Sequence, residues 1–438
     1  MKKIWKLMIL IFCVGLLGGC KDNTENPAVT PTMTPQITST TVPTEPPTIT
    51  VTPTPTEPVN IPGTAERALT GCSAFEITSQ MVVGWNLGNS LDSTGGNINY
   101  FSAPAKAVTA WGNVEPTQEV FEAVKAAGFN TVRIPTTWYQ HIKYDSSTDR
   151  YMISEEWMDY VKKTVDYAYE LELFVILNVH HENWVNAAEF TDESYQKASK
   201  MLSDIWTQVA ETFAYYDQHL IFEGMNEPRQ TGLGGSIEWG GGEKETWKYV
   251  NDLNRIFVDT IRNQGSNANK ERLLMLPGYG ASSNIATVKS IEVPENGGNI
   301  ALSVHAYYPY FFAMDTSDKA CHEFPGKSGY GEDYEKSITD LFQQLKTVST
   351  EKQVPIIIGE CGASDFNNND DRARWATHFL TCAKSAGIPC VFWDNGATYN
   401  GTGEAYGLIN RKNGTRFENA VPMLNAMMKV YGQESNLP

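Results

Sequence analysis

Eight short apolar runs, rich in β-branched residues, alternate with longer segments of helical periodicity over about 370 residues of the chain. The helical period is visible, for example, in Val120, Val124 and Ala127. Eight strand-then-helix units are the number that closes a parallel barrel. An open doubly wound sheet has the same local pattern, but no Gly-rich nucleotide loop follows the first apolar run. The sequence therefore predicts the α/β class and a (β/α)8 TIM barrel.

The predicted elements can be placed along the chain. The predicted strands are Met81–Trp85, Thr131–Pro135, Phe174–Val179, Leu220–Met225, Leu273–Leu276, Ile300–His305, Pro355–Gly359 and Pro389–Trp393. The predicted helices lie near residues 117–127, 155–170, 192–214, 244–264, 282–290, 333–349, 370–386 and 418–431. After the eighth strand the sequence indicates only a turn and this last helix, so no further binding module is expected.

The amino terminus has the pattern of an export signal. A segment with three lysines, Met1–Lys6, precedes an apolar run from Leu7 to Leu17. This run is shorter than the roughly 20 residues that cross a membrane. It ends in Leu17-Gly18-Gly19-Cys20, which resembles a bacterial lipobox. We expect residues 1–19 to be removed and Cys20 to be lipidated; the alternative is an ordinary signal peptide with an incidental Cys.

A linker separates this signal from the barrel. Residues 27–58 contain nine Pro and twelve Thr but no aromatic residue, Lys or Arg, so they cannot bury a core. The chain is therefore predicted to consist of a signal peptide (1–19), a lipidated Cys with a disordered Thr/Pro-rich linker (20–63) and one barrel domain (64–438). The protein is expected to be exported and held at the bacterial cell surface by a lipid anchor, or released from it.

The charge of the chain limits its partners. Lys and Arg number 34 against 51 Asp and Glu, a net charge of −17. Nucleic-acid binding needs a basic face, so nucleic acid is excluded as a partner and a neutral substrate fits better. We expect a monomer. Five Cys follow Cys20, and Cys382–Cys390 is a possible bridge, although free buried thiols explain them equally well.

Polar side chains follow six of the eight predicted strands, at the end where such barrels carry catalysis. These segments are Arg133–Pro135, Asn178–Trp184, Gly224–Pro228, His305–Pro309, Ile358–Gly362 and Trp393–Gly396. Glu227 and Glu360 each come directly out of an apolar run, where an unpaired acid is costly. A single such Glu is more often part of a structural salt bridge. Two at one barrel mouth indicate chemistry, and glycosidic cleavage uses two carboxyl groups.

The neighbouring side chains suit this chemistry. Arg133 is predicted to hold Glu360 ionised, and Tyr307 to donate a hydrogen bond to it. Asn226 is expected to bond a sugar hydroxyl, and Trp393 to stack on a sugar ring. Further aromatic side chains for a sugar platform lie in the predicted loops, although single ones are more often core: Trp111, Trp138, Trp184 and Trp239.

Seven sequence motifs of this chain, taken together, resemble those of a known enzyme family. They are Gly84–Asn89, Val132–Pro135, His180-His181, Asn226-Glu227-Pro228, His305-Ala306-Tyr307, Ile358-Gly359-Glu360 and Phe392-Trp393. In this order they span most of residues 75–430, and the domain resembles glycoside hydrolase family 5, the cellulase family of retaining (β/α)8 glycosidases.

The resemblance implies roles for individual residues. Glu227 is expected to be the acid/base, with a raised pKa, and Glu360 the nucleophile. The expected surrounding site residues are Arg133, His180, Asn226, His305, Tyr307 and Trp393. His181 and Asn86 are expected to contact the sugar on the glycone side. The two carboxyl groups should lie roughly 5–5.5 Å apart, as in retaining enzymes.

The same resemblance implies the substrate. Gly84–Asn89 and Trp111-Gly112-Asn113 look most like bacterial endoglucanases, which points to endo-acting cleavage of β-1,4-glucosidic bonds in cellulose-type β-glucans. Xyloglucan, mixed-linkage glucan and mannan remain alternatives, as does transglycosylation at the same site. A surface lipoprotein that binds oligosaccharides without cutting them is the rival from another class, but it would not need both acids.

No cofactor is expected. His180, His181 and Glu182 suggest a metal site, but they lack the i, i+4 helical spacing of a zinc protease and no Cys or His completes a ligand set. We therefore expect no metal. The sequence does not indicate what Glu182 does.

Overall fold

The computed structural model describes residues 69–95, 101, 103–399, 404–435 and 437. The predicted signal peptide, Cys20 and the linker to residue 63 lie outside the described residues, so these expectations stay predictions. Among the helices that are described, none combines the length and apolar character needed to cross a bilayer.

Eight parallel strands form a closed barrel, as the sequence predicts. They are β1 Val83–Asn86, β2 Thr131–Ile134, β5 Phe174–Asn178, β6 Leu220–Glu223, β7 Leu274–Ser282, β8 Ile300–His305, β9 Ile356–Cys361 and β10 Cys390–Phe392. Neighbours in the barrel are consecutive in the chain, and β1 closes the barrel by pairing with both β2 and β10. Two antiparallel hairpins stand apart from it: β3 Ile142–Asp145 with β4 Arg150–Ile153, and β11 Ile409–Asn410 with β12 Thr415–Arg416.

Helices surround the barrel. They are α1 Ala74–Gln80, α2 Pro104–Val108, α3 Gln118–Ala126, α4 Glu155–Tyr169, α5 Asp192–Thr212, α6 Gly235–Glu238, α7 Lys244–Arg262, α8 Asn267–Glu271, α9 Ile285–Ser290, α10 Tyr310–Ala313, α11 Tyr334–Lys352, α12 Asn369–Ala386 and α13 Val421–Val430. The longest, α5, begins with a capping box, in which the Thr191 side chain accepts from Ser194 N and the Ser194 side chain accepts from Thr191 N. All eight predicted helices are present, with ends that differ by a few residues.

Alternation along the strands separates two apolar cores. On β5, Val175 and Leu177 pack with the residues beneath the outer helices, whereas Phe174 and Ile176 pack with the cluster inside the barrel. Ile77 of α1 belongs to that inner cluster, so α1, which precedes β1, covers the amino-terminal end of the barrel. The opposite, carboxyl end is left for a functional site.

The inner face changes from apolar to polar toward the carboxyl end. On β5 the inward side chains run from Phe174 through Ile176 to Asn178, and on β6 Ile221 is followed by Glu223. Arg133 of β2 lies on the same inner face, since Val132 and Ile134 pack outward. The strand period of two therefore builds a buried polar layer directly on top of the apolar one.

Some parts of the fold differ from the sequence-based prediction. The hairpin β11–β12 lies where only a turn was expected after the eighth strand, and β7 is longer than the predicted Leu273–Leu276. All five described Cys are free thiols. Cys382 of α12 interacts with His378 at 3.7 Å instead of bridging to the buried Cys390.

Arg272, a buried residue between α8 and β7, connects several chain segments by hydrogen bonds. Its guanidinium donates to the carbonyl oxygens of Phe213, Tyr216, Asp217 and Leu220, and to Asn269 Oδ1. These carbonyls terminate α5 and lead into β6. The residue thus satisfies acceptors that helix ends leave open.

We predict that Arg272→Met lowers the free energy of unfolding by about 3 kcal/mol or more, because several buried carbonyls lose their donor. Urea denaturation measures the loss. Arg255→Met is the control, since the Arg255 side chain is 49% exposed in a surface ion pair with Asp252; its loss should stay within about 0.5 kcal/mol. Equal losses in the two variants would contradict the assignment.

Candidate active site

Arg133 lies at the centre of the polar layer, with no exposed surface. Its Nε and Nη2 reach Glu223 Oε2 at 2.8 and 2.7 Å, and its Nη1 donates to Glu360 Oε1 at 2.6 Å. Nη1 also donates to Asn86 Oδ1 at 3.0 Å, and Nη2 to Asn226 Oδ1 at 2.8 Å. Burial opposes the charge, but Glu223 and Glu360 outweigh it and raise the pKa of Arg133. The guanidinium is therefore a permanent cation at this site.

Glu360 has two partners, both predicted from the sequence. Arg133 holds Oε1, and the Tyr307 hydroxyl donates to Oε2 at 2.8 Å. Burial and then the charge of Glu360 raise the pKa of Tyr307 well above its ordinary value, so the phenol stays a donor. The carboxylate is 5% exposed. The two donors therefore hold the carboxylate in one orientation.

Glu227 has a different kind of partner. Its Oε1 lies 2.8 Å from His305 Nδ1, and its Oε2 lies 4.0 Å from the Arg229 guanidinium. Burial raises the pKa of Glu227, but the hydrogen bond and charge of His305 outweigh it, so the pKa is lowered. For His305, burial lowers the pKa, and Glu360 and Glu227 together raise it.

The direction of the Glu227 pKa differs from the raised value that the resemblance implied. The physical reason is the partner: a cationic imidazole in hydrogen-bond contact favours the carboxylate form. Glu227, His305 and Glu360 each bring one polar atom into a group whose members lie within 4.8 Å of one another. The two carboxyl groups thus face each other across one small space, with the imidazole beside them.

His180 is held by a chain of hydrogen bonds. The Asn178 amide accepts from Thr136 N at 3.0 Å, and its Nδ2 donates to Glu223 Oε2 and to His180 Nδ1, both at 3.0 Å. His180 Nδ1 must then accept, which leaves the proton on Nε2. Burial, followed by neighbouring positive groups, lowers the pKa of His180 well below its usual value. His180 is therefore a neutral donor.

Trp393 and His180 form one wall of the site. Their rings are parallel within 4°, with centroids 6.0 Å apart. The Trp393 ring packs so tightly on Gly88 that a Cβ there would lie 2.6 Å from it, which explains the Gly at this position. His181 extends this wall: its ring centroid lies 4.4 Å from that of His180 and 5.6 Å from that of Trp111.

Asn86, expected to contact a sugar, lies below the site instead. It has no exposed surface, and its Nδ2 donates to the carbonyls of Gly359 and Val391 while Oδ1 accepts from Arg133. All its polar atoms are used inside the barrel. It supports the guanidinium and does not face the cleft. Asn226, 3% exposed, also has its carbonyl oxygen occupied by Arg133.

The four loop tryptophans separate into two pairs. Trp138 and Trp184 are 0% and 3% exposed and belong to the core, whereas Trp111 and Trp239 are 41% and 48% exposed. Trp239 lies under the Arg229 guanidinium, whose carbon is 3.8 Å from the ring centroid. Of these four, Trp111 and Trp239 are therefore the two exposed enough to serve as sugar platforms.

Glu182 is a buried carboxyl group that holds two loops together. Its carboxyl group accepts from Trp138 N and Trp184 Nε1, both at 2.5 Å, and from Tyr139 N at 3.1 Å. Burial raises the pKa of Glu182 to about 8, with these donors opposing the rise. Glu182 thus joins the loops after β2 and β5.

Sequence reasoning missed Glu223, a buried acid in contact with Arg133. Glu223 lies four residues before Glu227, inside the predicted apolar strand Leu220–Met225. It has no exposed surface, and it accepts from Arg133, Asn178 and, at 2.5 Å, the Ser303 hydroxyl. The alternation along β6 puts it on the same face as Ile221, a signal that could have identified it.

Two groups of side chains have the composition of metal ligands: Asp92, His180 and His181, and Glu227, His305 and Glu360. In the first group, His180 Nδ1 accepts from Asn178 and Nε2 carries the proton, so neither nitrogen offers a free lone pair. In the second, His305 Nδ1 is bonded to Glu227. Several of these donor atoms are thus taken by hydrogen bonds, and the expectation of a site without metal stays a prediction.

Comparisons with known proteins extend this description. Residues 91–398 match the sequence profile of the family described as Cellulase (glycosyl hydrolase family 5). Endoglucanase B of Neocallimastix patriciarum is 41% identical over 347 residues, which are 79% of this chain and 69% of that protein.

Two solved structures are similar over most of their length. A broad-specificity endoglucanase from Clostridium longisporum has a TM-score of 0.74 at 39% identity, over 82% of this chain and 98% of that one. A xyloglucan-specific endo-β-1,4-glucanase from a metagenomic library, in complex with cellotriose, has a TM-score of 0.72 at 35% identity, over 81% and 98%.

The Glu227–His305 pair makes the stability of the fold depend on pH. The pKa of Glu227 is lowered from 4.5, so its contribution is present above about pH 4.5 and is lost as the pH falls. The pKa of His305 is raised from 6.5, so its contribution is present below about pH 6.5 and is lost as the pH rises through the folded-state value. The pair therefore stabilises the fold most between these two values.

We predict that Glu227→Gln lowers Tm, relative to the parent, more at about pH 5.5 than at about pH 9. Thermal denaturation at the two pH values measures this. Glu292→Gln is the control, because Glu292 is 63% exposed in a surface ion pair, and its Tm change should be small and similar at both. A Glu227→Gln loss that is the same at both pH values would contradict the pairing.

Proposed function

The chain belongs to glycosyl hydrolase family 5, the cellulase family, and from this premise we propose that Glu227 and Glu360 carry out a double displacement on β-1,4-glucosidic bonds within β-glucan chains. The supporting observation is the pair of facing carboxyl groups, whose nearest oxygens lie within 4.8 Å. Retaining glycosidases hold their carboxyl groups about 5–5.5 Å apart, whereas inverting enzymes leave room for a water between them.

In the first step Glu360 attacks the anomeric carbon. Arg133 and Tyr307 bond its two oxygens and hold it in place for the attack. The leaving oxygen needs a proton, and the Glu227–His305 pair holds one. In the resting site the proton lies on His305, and transfer along the 2.8 Å hydrogen bond moves it to Glu227, which faces the bond being broken.

In the second step Glu227 acts as a base. The attack has converted Glu360 into a neutral ester, so one negative charge next to His305 and Glu227 is gone. Glu227, now ionised, takes a proton from water, and the water displaces Glu360 from the anomeric carbon. Two inversions give net retention of configuration.

The substrate is inferred from the relatives and the cleft. The similar solved enzymes are a broad-specificity endoglucanase and a xyloglucan-specific endo-β-1,4-glucanase. The exposed rings of Trp111, beside His181, and Trp239, beside the Glu227 partner Arg229, offer two surfaces for sugar contacts. A long chain that touches both is cleaved internally, so we propose endo action on cellulose-type β-glucans, with xyloglucan, mixed-linkage glucan and mannan as the alternatives to compare.

We predict that Glu360→Gln lowers kcat on soluble β-glucan at least about a thousandfold, because the nucleophile is lost. Glu227→Gln should be similarly impaired on β-glucan but much less so on an aryl cellobioside with an acidic leaving group, which needs no protonation. Reducing-sugar release on β-glucan, carboxymethyl cellulose, xyloglucan and mannan gives the rates, and proton NMR gives the first anomer released.

Asp370 is an acid in the first turn of α12. The variant Asp370→Asn is the control and should keep the parent rate. Release of the α-anomer first, or a Glu360→Gln variant with parental activity, would overturn the double displacement. Transfer of sugar to sugar in place of water would assign the same site to transglycosylation.

We further propose that the protein is exported and anchored to the bacterial membrane through lipidated Cys20, as a monomer. The support is the lysine-rich start, the apolar run and Leu17-Gly18-Gly19-Cys20, followed by the Thr/Pro-rich linker. An extended linker of this length spans on the order of 100 Å, enough to hold the barrel away from the membrane while it acts on a polymer.

We predict that cells expressing the full chain incorporate labelled palmitate into it, and that Cys20→Ala abolishes the label and releases the protein from the membrane fraction. Cys321→Ala, which changes a free thiol of the barrel domain, is the matched control and should keep the label. Equal labelling of Cys20→Ala and the parent would exclude the anchor.

A further inference from the structure

Two buried carboxylates share one buried cation below the cleft. Arg133 pairs with Glu360, which is open to the reacting space, and with Glu223, which is not. Neither Arg133 nor Glu223 has any exposed surface. A reaction at Glu360 therefore changes the charge balance of a group that water does not reach.

The proposed reaction of Glu360 removes one of the two negative charges beside Arg133. When Glu360 attacks the anomeric carbon, the bond from that carbon to the leaving oxygen breaks and the leaving oxygen takes the proton from Glu227. The carboxylate becomes an ester and loses its negative charge. A buried guanidinium without a counter-charge is strongly unfavourable, so another anion has to remain beside Arg133.

Glu223 has the properties of that anion. Its Oε2 accepts from Arg133 and from Asn178, and its Oε1 accepts from the Ser303 hydroxyl, so no edge of the carboxylate is left for substrate. It enters from β6, whereas Ser303 lies on β8 and Asn178 on β5. Three strands thus fix its position independently of Glu360.

We infer that Glu223 is a positioning residue for the reaction, the permanent counter-ion that keeps Arg133 neutralised and aimed while Glu360 alternates between carboxylate and ester. The inference rests on the proposed double displacement. It assigns the two carboxylates on Arg133 opposite tasks: Glu360 reacts, and Glu223 keeps its charge throughout the cycle.

Other charged and titratable groups surround Glu360 and contribute to the pH dependence of the reaction. They are Arg133 from β2, Glu227 after β6, His305 and Tyr307 at the end of β8, Glu404 and Tyr406 after β10, and Cys361 beside it in the chain. None of these changes in a Glu223→Gln variant. A shift that this substitution causes can therefore be assigned to the charge of Glu223.

The direction of the effect follows from Coulomb's law. Without the negative charge of Glu223, the cation Arg133 is balanced by Glu360 alone, so the ionised form of Glu360 is favoured over both its neutral acid and its neutral ester. We expect Glu223→Gln to move the acidic limb of the kcat/KM profile to lower pH by about one unit, and to slow ester formation about tenfold or more.

The experiment uses 2-deoxy-2-fluoro-β-cellobiosyl fluoride, which reacts with the protein to form an ester that hydrolyses slowly. Intact-mass spectrometry follows the accumulation of this ester. Asp394→Asn is the matched control. Asp394 is equally buried, but its cation is Arg411, at 3.4 Å, so its loss should leave the acidic limb where the parent has it. An unshifted limb in Glu223→Gln, or the same shift in Asp394→Asn, would overturn the inference.

A second measurement begins with Glu360→Gln alone, so its first result does not depend on whether Glu223→Gln folds. Glu360→Gln imitates the neutral ester, and Glu223 should still balance Arg133 in it, so its Tm should stay close to that of the parent. Combining Glu360→Gln with Glu223→Gln should lower Tm by more than the sum of the single changes. A Glu360→Gln variant that is itself strongly destabilised would show that Glu223 does not suffice as counter-ion.

The failure of this inference differs from the failure of the proposed function. If the parent protein forms no ester with the fluoro sugar and Glu360→Gln keeps its activity, the double displacement is wrong. If the parent forms the ester on Glu360 but Glu223→Gln behaves as Asp394→Asn does, the double displacement stands and the role of Glu223 is wrong.

Discussion

The site depends on one buried guanidinium. Arg133 bonds side chains from β1, β6 and β9 and from the segment after β6, so a single group fixes the relative positions of Asn86, Glu223, Asn226 and Glu360. An Arg suits this task because its donors lie in one rigid plane and its charge does not titrate in the working range. A Lys would present one point of charge and could hold no such set of directions.

The polar layer around Arg133 is possible because the barrel below it is filled. Inward side chains of the lower layer are apolar and pack with α1, which covers the amino-terminal end. Water is thus excluded from beneath, and hydrogen bonds in the polar layer act in a medium of low dielectric, where they are strong when complete and costly when broken. Glu223 is one such completed group, with an accepted bond from each of three strands.

Local patterns in the sequence were sufficient for much of this arrangement. The strand Ile300–His305 has the predicted bounds, and Glu227 and Glu360 lie at the carboxyl ends of strands as the barrel requires. The sequence did not separate Trp138 and Trp184, which are core, from Trp111 and Trp239, which are exposed. Burial of a loop ring depends on which loops meet, and that is a tertiary property. Glu223 was hidden for a related reason, because a charged residue inside an apolar run is interpretable only once its partner on another strand is known.

The direction of the Glu227 pKa was also beyond local pattern, since it depends on His305, 78 residues away. The two carboxyl groups carry the same chemistry and differ through their partners. Glu360 is held by Arg133, a partner whose charge is constant. Glu227 is held by an imidazole, a group that gains and loses a proton near neutral pH. In the proposed double displacement Glu227 first gives and then takes a proton, and an imidazole in hydrogen-bond contact can change its own charge in step with it. In the proposed double displacement, an Arg beside one Glu and a His beside the other thus separate the nucleophile from the acid/base within 4.8 Å.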